Sequence, residues 1–223
     1  MKVTLIIPTL NEAGCIGKVL REVPGKLVNE IIIVDGHSSD ETIAKAKITL
    51  TKRDKIIHQK SYGYGGAFLE GFPHATGDVI IMMDADGSQN PQDIPKLLAK
   101  IKIGFEYVMA SRYISGGGSD DDTWLRRFGN LLFTWMTNQI HGTNVTDSLY
   151  LFTAITRNGL DRLHLISTGF EFCTEIIVKA HRSGLKFAEV PVIERPRISG
   201  KSKVNSFWHG LKILRMILRR FKS

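Results

Sequence analysis

Five short apolar runs, separated by helix-like segments, constrain the fold of this chain more than any other feature. The runs are rich in Val and Ile and stand at residues 3–9, 30–35, 55–58, 78–84 and 107–111. Unbroken apolar character of this kind is typical of strands that are covered on both faces. Between them the sequence predicts helices at residues 11–23, 41–51, 63–75 and 91–103. The alternation predicts an α/β fold with a mostly parallel sheet and right-handed crossovers.

The second half of the chain follows this alternation less closely. A glycine-rich, acidic loop over residues 114–122 precedes predicted helices at residues 124–140 and 171–181. An edge strand is predicted at residues 186–192, and a last helix follows the loop at residues 194–203. Because no linker is long enough to separate two domains, we expect one catalytic unit, residues 1–203, followed by a basic helix over residues 204–223.

Polar residues follow several of the predicted strands at the points where the strands end. They are Asn11, Glu12, Asp35, Asp84, Asp86, Ser111 and Arg112. In open parallel sheets the ligand crevice lies outside the carboxyl ends of the strands. We therefore expect these side chains to converge on one edge of the sheet.

The segment DVIIMMDADGSQNP, residues 78–91, directs two carboxylates out of the end of a strand. In an extended segment, residues i and i+2 point the same way, so Asp84 and Asp86 can reach one ion. Two carboxylates this close repel each other unless a cation lies between them. Oxygen ligands suit Mg²⁺ or Mn²⁺, which complete their shell with water and substrate phosphates. The alternative is structural, with Asp86-Gly87 as a turn and Asp84 as a cap.

Asp35 and the glycines at 63, 65 and 66 each have two explanations. Asp35 is either a hydrogen-bond acceptor for a base or ribose, or a capping residue before Ser38. The glycines resemble a phosphate loop only weakly, because neither GxxxxGK[ST] nor a GxGxxG after a strand is present. Close packing of a helix against the sheet explains them equally well.

Seven sequence blocks, taken in order, carry more information than the two aspartates alone. They are IIPTLNE (6–12), IVDGHSSDET (33–42), GYGGAFLEGF (63–72), MDADGS (83–88), ASRYISGG (110–117), VTDSLYLF (145–152) and RISGKSK (197–203). In this order they resemble family 2 glycosyltransferases, above all the polyprenyl-phosphate hexosyltransferases that include dolichyl-phosphate mannose synthases and glucosyl relatives. The resemblance covers nearly the whole chain. It implies a GT-A (Rossmann-like) fold, a nucleotide-sugar donor, Mg²⁺ or Mn²⁺, and inversion at the anomeric carbon.

The resemblance also implies roles for individual residues. The implied contacts of the donor nucleotide are Pro8, Glu12, Asp35 and Asp84. The implied metal site is formed by Asp84, Asp86 and Ser88. The cations implied to bind the acceptor phosphate are Arg112, Arg127, Arg197 and Lys203. Three features depart from the pattern. Gly36 stands where many relatives have a second Asp, Ser88 stands where some have Gln, and the block at residues 145–152 lacks the Ser-Gly-Phe ending common in relatives.

The implied reaction moves a hexose to dolichyl or polyprenyl phosphate, with mannose from GDP-mannose favoured over glucose from UDP-glucose. A phosphate monoester has a second pKa of about 6, so it attacks without a strong general base. The implied catalytic residues are Asp86, Arg112 and Asp147, the last as a positioning group or weak base, or as a purely structural residue. A partner-dependent or non-catalytic subunit is the other interpretation of the chain.

The net charge of +8 is concentrated in the tail. Residues 195–223 contain nine Lys and Arg and no acid, so the remainder of the chain is close to neutral. On the predicted helix over residues 205–222, one face carries Phe207, Leu211, Ile213, Leu214, Ile217, Leu218 and Phe221. A basic amphipathic helix suits an anionic membrane surface, and it is too charged to span a bilayer.

The tail helix has alternative explanations. Its apolar face can pack on the protein's own core, or it can bind a small membrane subunit. Nucleic acid is an unsuitable partner, because the chain has no binding motif and no interleaved exposed aromatic residues. We therefore expect a peripheral protein on the cytoplasmic side of the membrane.

Overall fold

The computed structural model of the chain describes residues 1–200 and 206–219. Within these residues the strands are β1 (Val3–Thr9), β2 (Glu30–Asp35), β3 (Lys55–His58), β4 (Val79–Met82), β5 (Tyr107–Ser111), β6 (Gly118–Ser119), β7 (Thr153–Thr156), β8 (Phe187–Pro191) and β9 (Ile193–Glu194). The helices are α1 (Ile16–Glu22), α2 (Thr42–Thr49), α3 (Tyr64–Gly71), α4 (Ile94–Lys102), α5 (Trp124–His141), α6 (Arg157–Asp161), α7 (Phe172–Arg182) and α8 (Ser206–Ile217). Short 3₁₀ turns follow α3 and precede α4.

Seven strands form one sheet in the order β3-β2-β1-β4-β7-β5-β8. All neighbouring pairs are parallel except the two that involve β7. The predicted mostly parallel sheet is therefore confirmed, with β8 at its edge as expected. In the register of the sheet Thr9 lies beside Asp35, and Asp35 lies beside His58. The carboxyl ends of β1, β2 and β3 thus meet at one edge.

Strand β7 was not predicted, because its four residues TAIT carry no periodicity that distinguishes them from a loop. It runs antiparallel between β4 and β5, with Thr153 beside Met82 and Thr156 beside Val79. Its amino end therefore lies at the carboxyl edge of the parallel strands. This direction brings the segment just before β7, residues 147–152, to the edge where β4 and β5 end.

Helices cover both faces of the sheet, and alternate strand residues pack on opposite layers. Leu5 and Ile7 of β1 belong to a core that includes α1 and α4, whereas Ile6 belongs to a core that includes α3 and α7. The second core contains a stack of aromatic rings, in which the ring centroids of Phe68 and Phe172 are 5.6 Å apart. Full burial of each large apolar side chain stabilises the fold by about 1.5–3 kcal/mol. The sheet is thereby fixed as a rigid support for the residues at its edge.

Two predicted boundaries differ in ways that affect the sheet edge. Helix α1 begins at Ile16 rather than near Asn11, because Asn11 has a φ of 51° and Glu12 starts a turn. Strand β4 ends at Met82, so Asp84 already lies beyond the ladder. Both changes place polar residues in irregular backbone just outside the sheet.

Helix α8 corrects the prediction of a single apolar face. Ile213, Met216 and Ile217 are buried, and α8 contacts α5 and α7. In contrast, Leu211 and Leu218 are more than half exposed. One row of apolar residues on α8 therefore packs on the protein's own core, which is one of the alternatives given above. A second row of apolar residues faces outward. The predicted boundary at residues 203 and 204, and Phe221, lie outside the described residues.

Helix α5 has an unusual distribution of polarity. Its buried residues are Thr134 and Thr137, whereas Trp124, Phe128 and Trp135 are at least 60% exposed. Over the described residues, no helix combines the length and the apolarity that a bilayer span requires.

Glu30 connects the starts of three strands. Its Oε2 atom accepts hydrogen bonds from the Thr4 hydroxyl at 2.7 Å and from the Thr76 backbone and hydroxyl at 2.9 Å. Its Oε1 atom lies 2.7 Å from Lys55 Nζ. Burial alone would raise the pKa of Glu30, but these partners lower it to about 2. Since the folded pKa lies below the ordinary 4.5, the carboxylate stabilises the fold above that pH and ceases to do so as the pH falls towards 2.

We expect Glu30→Gln to lower the free energy of unfolding at pH 7 by about 1–3 kcal/mol, because charge-assisted hydrogen bonds are lost. The difference from the unsubstituted protein should shrink as the pH falls from 4.5 towards 2. Urea unfolding followed by tryptophan fluorescence measures both effects. Glu41→Gln, which removes an exposed pair with Lys45, is the control and should have little effect. A difference that does not change with pH would contradict the assignment.

Candidate active site

Asp84 and Asp86 lie where β4 ends, and each is held in place by its own set of hydrogen bonds. Asp84 accepts from the Tyr64 hydroxyl at 2.6 Å and from Gln89 Nε2 at 3.0 Å. Asp86 accepts from the Ser88 backbone N–H at 2.9 Å, which is the turn contact that the structural interpretation predicts. The other carboxylate oxygen of Asp86 has a cationic partner, Arg197.

The two carboxylates affect each other electrostatically. Burial and the neighbouring Asp86 carboxylate raise the pKa of Asp84 to about 7, although the Tyr64 hydroxyl and Arg197 oppose the shift. This is the behaviour of two like charges that share a site without a cation between them. A divalent ion would relieve the repulsion, so the pair fits a metal chemically.

Arg197 supplies the nearest positive charge. Its Nη1 lies 3.2 Å from Asp86 Oδ2, and its Nη2 lies 2.9 Å from Glu12 Oε1. Its Nε is buried and has no hydrogen-bond partner among the described residues. The guanidinium thus joins the ends of β1 and β4 to the loop after β9.

That loop is fastened directly onto the aspartate turn. Ile198 N donates to the Asp86 carbonyl at 3.1 Å, and Arg195 N donates to the Ser88 carbonyl at 2.8 Å. Gly87 has a φ of 82°, and a Cβ atom there would collide with the Ile198 side chain. Glycine is therefore required at this position both for its conformation and for the close approach.

A cavity of about 360 Å³ extends along the sheet edge from the aspartates. Of the predicted donor contacts, Pro8, Glu12 and Asp84 line it. Asp35 does not: it is 1% exposed, and its carboxylate accepts from Thr9 and Ser38. These contacts match the capping interpretation of Asp35, and its predicted contact with the nucleoside stays a prediction.

A second cavity of about 260 Å³ adjoins the first and shares Asp84, Asp86 and Arg197 with it. Ser88 and Arg112, the predicted metal ligand and phosphate-binding cation, line this cavity. Its far wall consists of residues from the helices and the segment before β7, among them Arg126, Asn130, Tyr150 and Ile213. This cavity therefore extends from the aspartates to α5 and α8.

Arg112 is buried in a cage of anions and aromatic rings. Its Nε and Nη2 bond both oxygens of Asp147 at 2.7 and 3.0 Å, and its Nη1 bonds Glu194 at 3.0 Å. Its guanidinium carbon lies 4.6 Å from the Tyr150 ring centroid. Burial opposes the charge, but Asp147 and Glu194 raise the pKa of Arg112 well above its ordinary value. Arg112 is therefore a fixed cation at the cavity wall.

Asp147 has 0% exposure, and both its oxygens bond Arg112. It lines neither cavity. The weak-base interpretation therefore lacks a path to a substrate, because a base must come within hydrogen-bond reach of the proton it takes. The geometry corresponds instead to a positioning residue that orients Arg112.

Of the other two predicted phosphate-binding cations, only Arg127 belongs to the described residues, and it lines neither cavity. Arg127 is exposed on α5, 5.7 Å from the Tyr113 ring, while its neighbour Arg126 lines the second cavity. A sequence of two consecutive arginines cannot indicate which one faces inward unless the helix phase is known. Lys203 lies outside the described residues.

Sequence reasoning missed an aromatic stack that lines both cavities. Tyr64 stacks on Phe170 at 4.7 Å between ring centroids, and Phe170 lies 4.7 Å from His209 of α8. Tyr64 stands in the GYGG block, where only the glycines drew attention. Phe170 and His209 carry no signal in the sequence, because their role depends on how α7 and α8 pack.

Mg²⁺ or Mn²⁺ would be held by Asp84 and Asp86, with the donor phosphates as further ligands. Throughout residues 1–200 and 206–219, no group of three or more His, Cys, Asp or Glu side chains is placed to bind a metal. Two carboxylates plus phosphate oxygens are a common set for Mg²⁺, which rarely takes a complete protein cage. Ser88, the third predicted ligand, would have to use its hydroxyl, since its backbone N–H donates to Asp86.

Known proteins resemble this chain along most of its length. It is 32% identical over 211 residues to the dolichol-phosphate mannosyltransferase of Pyrococcus furiosus, which covers 92% of this chain and 59% of that protein. It is 30% identical over 224 residues to the low-salt glycan biosynthesis hexosyltransferase Agl6 of Haloferax volcanii, covering 96% and 52% of the two chains. The chain thus spans little more than half the length of these two relatives.

Solved structures share the architecture. Glucosyl-3-phosphoglycerate synthase from Mycobacterium tuberculosis, in a complex with Mn²⁺, uridine diphosphate and glucosyl-3-phosphoglycerate, superimposes with a TM-score of 0.76 at 18% identity. The match covers 97% of this chain and 78% of that one. At this identity the similarity shows the GT-A fold and no more.

The family itself is shown by the sequence match. Residues 4–165 match the family described as Glycosyl transferase family 2. This range contains β2 to β7, all of β1 except Val3, and the aspartate pair. Together with the sheet-edge cavities, the match establishes that the chain belongs to glycosyltransferase family 2.

Proposed function

We propose that the chain transfers a hexose, with inversion, from a nucleotide-sugar donor to dolichyl or polyprenyl phosphate. One observation carries the choice of acceptor. The cavity that contains Arg112 and Arg126 extends from the aspartates to α5 and α8, which both carry several outward apolar residues. A phosphate that carries a long apolar chain suits a cavity with three arginines in its wall, Arg112, Arg126 and Arg197, beside an apolar surface.

The donor is a nucleoside diphosphate hexose, and mannose from GDP-mannose is favoured. The dolichol-phosphate mannosyltransferase of Pyrococcus furiosus supports this choice at 32% identity. Glucose from UDP-glucose is the alternative, since a glucosyl-3-phosphoglycerate synthase structure contains UDP-glucose. Enzymes that use either donor share this fold, so the fold does not distinguish mannose from glucose. The assay described below does.

The proposed reaction is a single displacement. An oxygen of the acceptor phosphate attacks the anomeric carbon from the face opposite the diphosphate. The new carbon–oxygen bond forms as the bond to the diphosphate breaks, and the nucleoside diphosphate leaves with the electron pair. No proton has to be removed from the attacking oxygen, because the phosphate is largely ionised near pH 7.

The residues of the site must hold two anions close together. Arg197 stands where both cavities meet, so it is placed to neutralise phosphate oxygens on either side. Arg112 is fixed by Asp147 and Glu194 and contributes positive potential without a conformational cost when substrate arrives. A bound divalent ion would offset charge on the leaving diphosphate. Asp84 and Asp86 would hold it there.

The outward side of α5 and α8 suits a membrane surface. Trp124, Phe128 and Trp135 of α5 and Trp208 of α8 are at least 60% exposed. Exposed basic residues lie on the same two helices, among them Arg126, Lys212 and Arg215. Aromatic residues favour the lipid headgroup region, and basic residues add attraction to anionic lipids. We propose a peripheral position on the cytoplasmic side of the membrane, with a small membrane subunit as the other occupant of this surface.

The proposal is tested by incubating the purified full chain and Mn²⁺ with short-chain polyprenyl phosphate and radiolabelled GDP-mannose or UDP-glucose. We expect label in the lipid extract from one of the two donors. 3-Phosphoglycerate is offered as a second acceptor. Label on 3-phosphoglycerate but not on the lipid would contradict the lipid acceptor and indicate a soluble phosphate instead. Absence of transfer to both acceptors would favour a non-catalytic or partner-dependent subunit.

We expect Asp86→Asn to lower the rate of transfer by at least about 100-fold, because a metal-binding carboxylate is lost. The same change should abolish the thermal stabilisation that Mn²⁺ and the nucleoside diphosphate give together. Asp161→Asn, a matched substitution at an exposed position of α6, is the control and should preserve both. Full activity of the Asp86 variant would contradict the metal assignment.

We expect the combined substitutions Trp124→Ser, Phe128→Ser and Trp135→Ser to weaken binding to phosphatidylserine-containing vesicles by at least about 10-fold, because apolar burial at the interface is lost. Vesicle sedimentation measures the binding, which should also fall with added salt. The control combines Ile48→Ser, Ile103→Ser and Ile166→Ser, three apolar residues exposed elsewhere. Equal loss in the two variants would contradict a specific membrane surface.

A further inference from the structure

The first cavity has two ends with different chemistry. Asp84, Asp86 and Arg197 form the end next to β4, and Gln59 lines the other end, just beyond β3. Between β4 and β3 the sheet order places β1 and β2, so the cavity crosses three strand spacings, or about 14 Å. A nucleoside diphosphate with its phosphates at the aspartates would therefore bring its base towards Gln59.

Gln59 is held rigidly for a polar side chain beside a cavity. It is 5% exposed, and its backbone N–H donates to the Asp35 carbonyl at 2.8 Å. Its Nε2 donates to the Gly63 carbonyl at 2.8 Å. A carbonyl oxygen can only accept, so this contact fixes which end of the amide is nitrogen and which is oxygen.

Two glycines make room for the amide. A Cβ atom at Gly36 would lie 3.2 Å from Gln59 Oε1, and one at Gly66 would lie 3.0 Å from Nε2. Gly36 and Gln59 both line the cavity, and Oε1 lies on the Gly36 side. No residue of the described chain donates a hydrogen bond to Oε1. The oxygen is thus an unused acceptor at this end of the cavity.

The nearby carboxylate of Asp35 is not free to accept a hydrogen bond from a ligand in this cavity. Both oxygens of Asp35 accept hydrogen bonds, from Thr9 Oγ1 and from the backbone and hydroxyl of Ser38. Asp35 is also absent from the cavity lining. A fixed neutral amide, rather than a carboxylate, therefore meets the ligand at this end.

We propose that Gln59 reads the base of the donor nucleotide, with Oε1 accepting the ring N–H of uracil or guanine. This inference rests on the proposed function, because it needs a nucleotide in the first cavity. Cytosine and adenine carry a lone pair where uracil and guanine carry that N–H. Turning the amide over to suit them would place Oε1 against the Gly63 carbonyl, so two acceptors would face each other. The pocket should therefore discriminate against both bases.

Tyr62 and His37 stand at the mouth of the same end. Both line the cavity, Tyr62 is 84% exposed, and the two rings are 6.1 Å apart. A ring at the mouth can cover the face of a base whatever its identity. These residues would contribute affinity, whereas Gln59 would contribute the choice of base.

The test is isothermal titration of the full chain with UDP, GDP, CDP and ADP in the presence of Mn²⁺. We expect UDP or GDP to bind at least about 10-fold more tightly than both CDP and ADP. In Gln59→Met, which keeps the volume and removes the polar atoms, the four dissociation constants should fall within about 3-fold of each other. Gln92→Met, at an exposed glutamine outside the cavity, should retain the selectivity of the unsubstituted protein.

The outcomes separate this inference from the function on which it rests. Comparable binding of all four nucleotides to the unsubstituted protein would overturn the role of Gln59 and leave the glycosyltransferase proposal intact. Selectivity that survives in Gln59→Met would also overturn it. Failure of every nucleotide to bind would overturn both proposals. The panel on the unsubstituted protein is decisive even if Gln59→Met does not fold.

Discussion

The guanidinium of Arg197 is the contact on which the site depends, because it joins parts of the chain that are far apart in sequence. It bonds Glu12, 185 residues away, and Asp86, 111 residues away. The parallel register of β1 and β4 brings these carboxylates to the same edge, and the backbone bonds of residues 195 and 198 deliver the arginine to them. Without this cation, three acids would face one another across the sheet edge with little compensation.

The second cation of the site, Arg112, is balanced in the same manner by Asp147 and Glu194. Breaking such a buried pair leaves an uncompensated charge and is strongly destabilising. The two arginines therefore differ in what they can do. Arg112 is permanently paired and sets the local potential, whereas Arg197 is 17% exposed in its side chain and faces both cavities. An incoming phosphate would compete with Glu12 and Asp86 for Arg197. Because Arg197 lines both cavities, a change of its partners on the donor side would also change the charge on the acceptor side.

The sequence predicted those features that depend on local pattern. The strands that end at Thr9, Asp35 and His58 follow from unbroken apolar runs, and the aspartate pair follows from its position after such a run. Features that depend on packing were missed. Strand β7 has no periodicity of its own, and the inward choice of Arg126 over Arg127 requires the phase of α5. Asp147 is buried because it pairs with Arg112, which lies 35 residues away in the sequence, and the sequence does not reveal this pairing. The sequence predicted α5 as a helix but did not predict that its aromatic residues are exposed, because a sequence pattern alone does not show which face of a helix has no neighbour.

We propose that the donor diphosphate and a divalent ion bind at the end of β4, next to Asp84, Asp86 and Arg197. Anomalous diffraction from crystals grown with Mn²⁺ and the selected nucleoside diphosphate tests this placement most directly. A Mn²⁺ peak within coordination distance of Asp86 and of the diphosphate oxygens, with Arg197 on a phosphate, is the predicted result. A peak elsewhere, or a diphosphate bound away from Asp84 and Asp86, would contradict the account.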